Sequence, residues 1–230
     1  MENFELHKTQ TIDFQSEFYP AHLKAIKNPP KILHVRGNLD LLKKTNGVSV
    51  VGTRDATVNG LKITDRLTRF LVDKECVIVS GLALGIDVQA HISCLEAKGN
   101  TIAVLAHGLD KIYPAQNNSI ARSILASNGL WVSEHPDGTA PQKQFFVLRN
   151  RIQVGLSRYS IVVEADVSSG TTSHAKFCVE AGHQLFAILP EEPNTLGLNS
   201  AGPKMMVDVM GAIALKNRDD YELLEKGLAI

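Results

Sequence analysis

From Val48 onward the chain repeats one rhythm: a short apolar run rich in β-branched residues, a loop carrying glycines or hydroxyls, then a segment of helical length. Val48-Ser49-Val50-Val51-Gly52 lacks polar alternation, which suits a strand buried on both faces. The pattern predicts a helix over Asn59 to Lys74, with Leu61, Leu67 and Leu71 apolar, and a second strand over Val77 to Gly81. A helix is expected from Asp87 to Lys98, opened by a carboxylate that the helix dipole favours and stopped by Gly99. Thr101 to Leu105 reads as a strand, Ala115 to Asn128 as a helix closed by Gly129, and Leu130 to Ser133 as a strand. Gln144 to Leu156 is expected to be helical, Ser160 to Glu164 a strand, Thr172 to Ala181 a helix and Gln184 to Leu189 a strand. Residues 203–216 are expected to be helical, with a short amphipathic helix closing the chain. Such alternation implies an α/β fold, a mostly parallel sheet with helices on both faces. Ligands of such sheets bind at the carboxyl ends of the strands, near the reversal of strand order, so the strand-to-helix loops are the place to look.

Residues 1–46 read differently. They hold Pro20, Pro29 and Pro30 without strong alternation, and are expected to pack as an extension on a core of residues 47–230, adding one edge strand, Ile32 to Val35. A length of 230 residues fits one large domain with such an extension. No apolar run approaches the roughly 20 residues of a membrane helix, and no signal-peptide pattern opens the chain, so a soluble cytoplasmic protein is expected. The three cysteines, Cys76, Cys94 and Cys178, are odd in number and form no Cys-x-x-Cys, which argues against a disulfide framework. His91 with Cys94, and His174 with Cys178, have spacings that can hold a metal, but strong ligand clusters are absent and buried thiols beside imidazoles are the preferred reading. No metal and no cofactor is expected. Formal net charge is zero, so a nucleic-acid role requires a local basic surface rather than bulk charge.

Four loops and one helix carry candidate chemistry. After the first strand, Gly52 permits a sharp turn and places Thr53 and Arg54 at the sheet edge; Arg54 suits a phosphate, or a surface ion pair with Asp55. The loop Ser80-Gly81-Leu82-Ala83-Leu84-Gly85-Ile86-Asp87 resembles a phosphate cradle, or is simple turn punctuation. It matches neither Gly-x-Gly-x-x-Gly nor the Walker pattern, so a standard dinucleotide or ATP site is not supported. Residues 142–158 contain four cations (Lys143, Arg149, Arg151 and Arg158), no acid, and the pair Phe145-Phe146. Cations that follow a backbone beside aromatic faces are what single-strand binding uses. The competing reading makes Phe145, Phe146, Leu148, Ile152 and Leu156 a core stripe; the two are reconciled if the apolar side packs while Lys143, Arg149 and Arg151 face a ligand. Ser169, Gly170, Thr171 and Thr172 offer an anion pocket or a helix cap, with Lys176 one turn on. No Gly-x-Ser-x-Gly elbow occurs, and no spacing among Asp87, Asp110, Glu134, Glu164, Asp166 and Glu180 demands a carboxylate pair.

These residues resemble the DNA-processing protein A family, also called DprA or Smf. The stretches that carry the resemblance include Gly52-Thr53-Arg54, Ser80 to His91, Gly108 to Asn117, Ser133-Glu134-His135-Pro136, Arg149-Asn150-Arg151-Ile152 and Ser169-Gly170-Thr171, within residues 19–205. The resemblance implies an extended Rossmann-like fold, single-stranded DNA bound in a positive pocket, a homodimer, and delivery of the strand to the RecA recombinase in natural transformation and other recombination, without covalent chemistry. By motif match Arg54 contacts DNA, Lys143, Arg149, Asn150, Arg151 and Lys176 line the same site, and Gly52, Thr53, Ser80, Gly81, Gly85, Asn117, Ser169, Gly170, Thr171 and Thr172 shape it. Two departures stand out. Leu84 replaces the arginine of the family's Ala-Arg-Gly-Ile-Asp motif, and the accessory domains of many members are not represented in these residues. The other reading is a nucleotide sensor or a phosphoribohydrolase-like enzyme, echoed by Ser169-Gly170-Thr171-Thr172 and Glu180 but lacking that group's glycine pair.

Overall fold

The computed structural model describes residues 8–229; residues 1–7 of the expected extension and residue 230 lie outside the described residues. Along the chain run β1 (Gln10–Asp13), α1 (Ala21–Ala25), β2 (Ile32–Gly37), β3 (Gly47–Val51), α2 (Val58–Asp73), β4 (Val77–Ser80), α3 (Ile86–Glu96), β5 (Thr101–Leu105) and α4 (Asn118–Ala126). They are followed by β6 (Leu130–Ser133), α5 (Lys143–Gly155), β7 (Tyr159–Val162), α6 (Gly170–Glu180), β8 (Gln184–Ile188), α7 (Ala201–Met210), β9 (Ile213–Leu215) and α8 (Tyr221–Ala229). The described strands form one sheet in the order β1-β2-β6-β5-β4-β3-β7-β8-β9. From β6 to β9 every pairing is parallel, whereas β1 with β2 and β2 with β6 are antiparallel.

Every residue of β3, β4, β5, β6 and β7 is buried, the signature of strands covered on both faces. Alternate side chains of β3 divide between them. Val48 and Val50 meet Leu67 and Leu71 of α2 and Ile86, Ala90 and Cys94 of α3, while Val51 joins Val154 of α5 and Ala175 and Cys178 of α6. On the α5 side, Ile152 and Leu156 pack with Leu23 and Ile26, from α1 and its end, against β4, β5 and β6. The chain steps outward from β3 to β4, β5 and β6, then returns to place β7 on the other side of β3. Strand order therefore reverses between β3 and β7, and a crevice opens at their carboxyl ends.

Two elements differ from expectation. The segment Ile32–Val35 is not the edge: β2 pairs with β6 on one side and with β1 on the other, so the outermost strand is Gln10–Asp13, whose single buried residue leaves almost no apolar pattern to read. The helix expected over 203–216 stops at Met210. Gly211 takes φ 73°, and the N–H groups of Gly211 and Ala212 both return to the carbonyl of Met206. That left-handed cap is a helix stop, and Ile213–Leu215 beyond it pair in parallel with β8.

Candidate functional site

A cavity of about 740 Å³ lies at the strand reversal, formed by the loops after β3 and β4, the start of α6 and one face of α5. The α5 contribution follows helical spacing: Phe146, Arg149, Asn150 and Gln153 stand at i, i+3, i+4 and i+7 and line the cavity together. Ile152 and Leu156 occupy the opposite, core-facing side. The expected core stripe is thus divided: Phe146 belongs to the cavity and Leu148 is exposed, while Arg149, Asn150 and Arg151 are all buried.

The rim is cationic and aromatic. Arg54 is exposed and lays its guanidinium over the Phe146 ring, 5.4 Å from the centroid, in cation–π range. Tyr113 stands 5.7 Å from the same ring, centroid to centroid, and Lys143 is exposed at the first position of α5. Phe145 points elsewhere and packs on His135 with ring centroids 4.0 Å apart.

The floor is built from buried polar groups. Arg149 is 7% exposed, and its Nη1 lies 4.0 Å from Asp87 Oδ2, too far for a hydrogen bond. Its Nε and Nη1 have no hydrogen-bond partner among the described residues. Burial pushes the Arg149 pKa down, Asp87 opposes that shift and Arg54 adds to it. Burial likewise raises the Asp87 pKa, against Arg149 and the backbone N–H groups of Gly52, Gly81 and Ala83, which favour its carboxylate. His174 pairs its Nε2 with Ser160 Oγ at 2.9 Å and leaves Nδ1 unpartnered; burial, helped by the Arg149 charge, lowers its pKa to about 3, so the ring is neutral at physiological pH. Gln153 Nε2 is also buried without a partner. At the start of α6, Ser169 Oγ accepts from Thr172 N–H at 3.2 Å and Asn150 Nδ2 donates to Gly170 O at 3.0 Å. Gly170 and Thr171 line the cavity within that first turn, whose N–H groups have no partner inside the helix.

Of the residues singled out from sequence, Gly52, Thr53, Arg54, Lys143, Arg149, Asn150, Ser169, Gly170 and Thr171 line this cavity. The others stand behind or away from it. Arg151 turns to the far side of α5, where it donates to Asn28 O (2.8 Å), Leu148 O (2.9 Å) and Glu134 Oε1 (2.6 Å). The second loop is not an empty cradle, because the chain's own Asp87 fills it, accepting from Gly81 N–H at 3.2 Å. Ser80 Oγ is spent on Val50 O at 2.7 Å, and Gly85 takes φ 75° against the carbonyls of Thr53 and Arg54. Asn117 supports the same loop from behind, donating to Leu82 O at 2.8 Å. Thr172 donates to Asp166 O at 3.0 Å, and Lys176 is exposed outside the cavity. Glu180 is exposed at the last position of α6, so the phosphoribohydrolase echo does not converge on this site.

Gln153, His174 and Asp87 are not assigned to this site from sequence, where His174 is weighed only as a metal ligand and Asp87 as a helix opener or acid, although Gln153 and His174 lie one helical turn beyond Arg149 and Gly170. Glu164 anchors the first loop: it accepts from Thr57 N–H and Oγ1, each at 3.0 Å, and from Asn199 N–H at 2.8 Å. The two His–Cys spacings are explained by packing. Burial raises the Cys94 and Cys178 thiols to about 12 and about 11, which disfavours the thiolate a metal needs. Among the described residues no helix is long and apolar enough to cross a membrane.

A family model described as DNA recombination-mediator protein A matches residues 10–224. The DNA processing protein DprA of Bacillus subtilis is 40% identical over 95% of this chain and 72% of its own length. The X-ray structure of DNA processing protein A from Streptococcus pneumoniae superposes with a TM-score of 0.85 at 36% identity, covering 94% of this chain and 74% of that one. A structure of DNA processing protein A from Helicobacter pylori, described as giving insight into its single-stranded DNA binding mode, superposes at 0.83 with 31% identity, covering 95% and 97%. The chain belongs to the DNA recombination-mediator protein A family.

Proposed function

We propose that this chain binds single-stranded DNA across the cavity at the β3/β7 reversal and hands it to a RecA-type recombinase, making and breaking no covalent bond in the strand. We further propose that it acts in the cytoplasm as a homodimer. The observation that carries the reading is Arg149: a buried guanidinium whose Nε and Nη1 have no hydrogen-bond partner among the described residues, beneath an open rim of Arg54, Lys143, Phe146 and Tyr113. Asp87 at 4.0 Å offsets that charge but makes no hydrogen bond to it, so the guanidinium retains the capacity to hold an anion from outside the chain. The rim supplies what a strand needs, cations for phosphates and aromatic faces for bases. Leu84, where the family motif has arginine, does not line the cavity, and the cations that do come from the first loop and α5. The likeness to the Helicobacter pylori protein supports the same ligand class.

The test is fluorescence anisotropy with a short oligothymidylate at two salt concentrations. Arg54→Ala should weaken binding about tenfold and flatten the slope of log K against log salt by about 0.7, the value for one phosphate contact on a single strand. Affinity indifferent to salt, or a preference for duplex, would overturn the reading.

A further inference from the structure

The parallel strands have two ends, and the cavity occupies the carboxyl one. The N-terminal extension lies at the other. Leu23 and Ile26 lie against Gly155 at the close of α5, and Lys43 and Lys44 stand just ahead of Gly47, the first residue of β3. Phe146 lines the cavity near the opposite end of α5, roughly 13 Å from Gly155 at about 1.5 Å per residue. At this amino end the extension carries a connected set of rings and ammonium groups. Phe14 donates its N–H to Lys31 O at 3.0 Å, and its ring meets the Tyr19 ring with centroids 5.1 Å apart. Lys24 Nζ lies over both rings, 5.1 Å from the Phe14 centroid and 5.7 Å from that of Tyr19. Phe18, next to Tyr19 in the chain, is covered by Lys43 Nζ at 4.1 Å. Lys27, Lys31 and Lys44 are exposed in the same segment. Among the described residues none of these five lysines forms an ion pair. Residues 14–46 hold them and Arg36 against two acids, Glu17 and Asp40, in a chain whose formal net charge is zero. Asp13, just ahead, accepts from the N–H groups of Gln15 and Ser16.

A cation–π contact positions an ammonium group without neutralising it. The rings therefore hold Lys24 and Lys43 in place, while the two lysines cover the apolar faces that a docking peptide would bury. What faces outward is fixed positive charge without the forked donors of arginine, the form in which lysine meets a phosphate as a point charge. We propose that this face of the extension, centred on Lys24 and Lys43 over Phe14, Tyr19 and Phe18, is a second nucleic-acid surface. It holds the phosphodiester backbone of a further segment of strand at the edge of the sheet opposite the cavity. Its contacts go to phosphates and not to bases, so it is indifferent to sequence. Each chain then holds two segments apart, one at either edge of the same sheet.

Calorimetry on the full chain at low salt, with an oligothymidylate of about six nucleotides, counts the sites, since that length is within the footprint of a single one. Two strands per chain are expected. Lys24→Glu combined with Lys43→Glu should weaken one class at least about tenfold and leave the other unchanged. Lys27→Glu combined with Lys44→Glu keeps both cation–π contacts and should act in the same direction, covering the case in which the first variant folds poorly. Arg54→Ala combined with Lys143→Ala separates the two surfaces. A strand still held by that variant, and released when the Lys24 and Lys43 changes are added, supports the second surface whatever becomes of the cavity reading. If neither lysine pair alters any class, the proposal is overturned, whether one strand binds or two. Poly-glutamate bound more tightly than the oligothymidylate at equal charge, and lost in the same lysine variants, also overturns it, because the occupant would then be an acidic protein segment.

Discussion

Arg149 and Arg151 sit two residues apart on α5, and both are buried, at 7% and 9% exposure. Their surroundings are opposite. Arg151 donates to two carbonyls and a carboxylate, joining α5 to Asn28 of the N-terminal extension and to Glu134 after β6. Arg149 has a carboxylate 4.0 Å away and two buried nitrogens with no partner among the described residues. A buried charge each of whose nitrogens has a partner is part of the architecture, whereas buried nitrogens without one call for an explanation. The motif Arg149-Asn150-Arg151 thus spans two environments on one turn, the first residue lining the cavity and the third fixing the helix that carries it.

Acid should have the largest effect, and it bears on the Arg149 side. His91 and His174 are fully buried and neutral, lowered by burial and by the Arg149 charge from 6.5 to about 3. Between those limits the unfolded chain takes up protons that the folded chain refuses, so the stability is complete above pH 6.5 and falls as pH drops. At pH 5 the loss is about 2 kcal/mol for each histidine. Urea unfolding at pH 7.5 and pH 5 measures it. Arg149→Met removes the positive neighbour of both rings and should shrink the acid loss, while Arg151→Met should leave it as in the wild type.

At neutral pH the order reverses. Arg151→Met strands Asn28 O and leaves Glu134 without its partner; Glu134 keeps access to water, so a loss of about 2–3 kcal/mol is expected from the melting curve. Arg149→Met should cost the free protein less than Arg151→Met does, because the loss of the cation nearest to buried Asp87, which keeps its backbone N–H donors, is partly offset by removing a guanidinium whose Nε and Nη1 have no hydrogen bond. The single strand should then raise the melting temperature of the wild type and not that of Arg149→Met. Equal losses in the two variants would break the comparison and make Arg149 a second structural anchor.

The parallel core was legible because its strands are buried on both faces and carry short runs rich in β-branched residues, as in Val48 to Val51 and Val77 to Val79. β1 was not, since a strand with one buried residue in four, Ile12, carries no such pattern. The end of α7 was written in Gly211, whose left-handed turn outweighed the helical spacing on either side. At the site, residue type pointed to Arg54, Lys143 and Arg149, but type could not separate Arg149 from Arg151. Helical phase could have done so, because Arg149 shares its face with Phe146 and Gln153 whereas Arg151 does not. The filling of the second loop by Asp87 depends on backbone N–H groups from two separate strands' ends, a convergence that only the folded chain displays.

The smallest and most discriminating change is Gly81→Ala. Gly81 is buried in the second loop, and a Cβ there would fall on the Arg149 guanidinium, at Nη1 and Cζ. The atoms it displaces are the far end of a flexible side chain, and the Gly81 φ lies outside the positive region, so the backbone can accept alanine without strain. Stability should therefore fall by no more than about 1 kcal/mol, read from urea unfolding. Strand affinity should fall roughly threefold to fivefold as Arg149 is pushed off its place on the floor, with no effect on the bonds that Arg151 makes to Asn28 and Glu134. A loss in Gly81→Ala that is absent when the same change is made in Arg149→Met would show that the glycine acts through that arginine alone. Additive losses would mean that the loop itself touches the strand, and that the floor extends beyond α5.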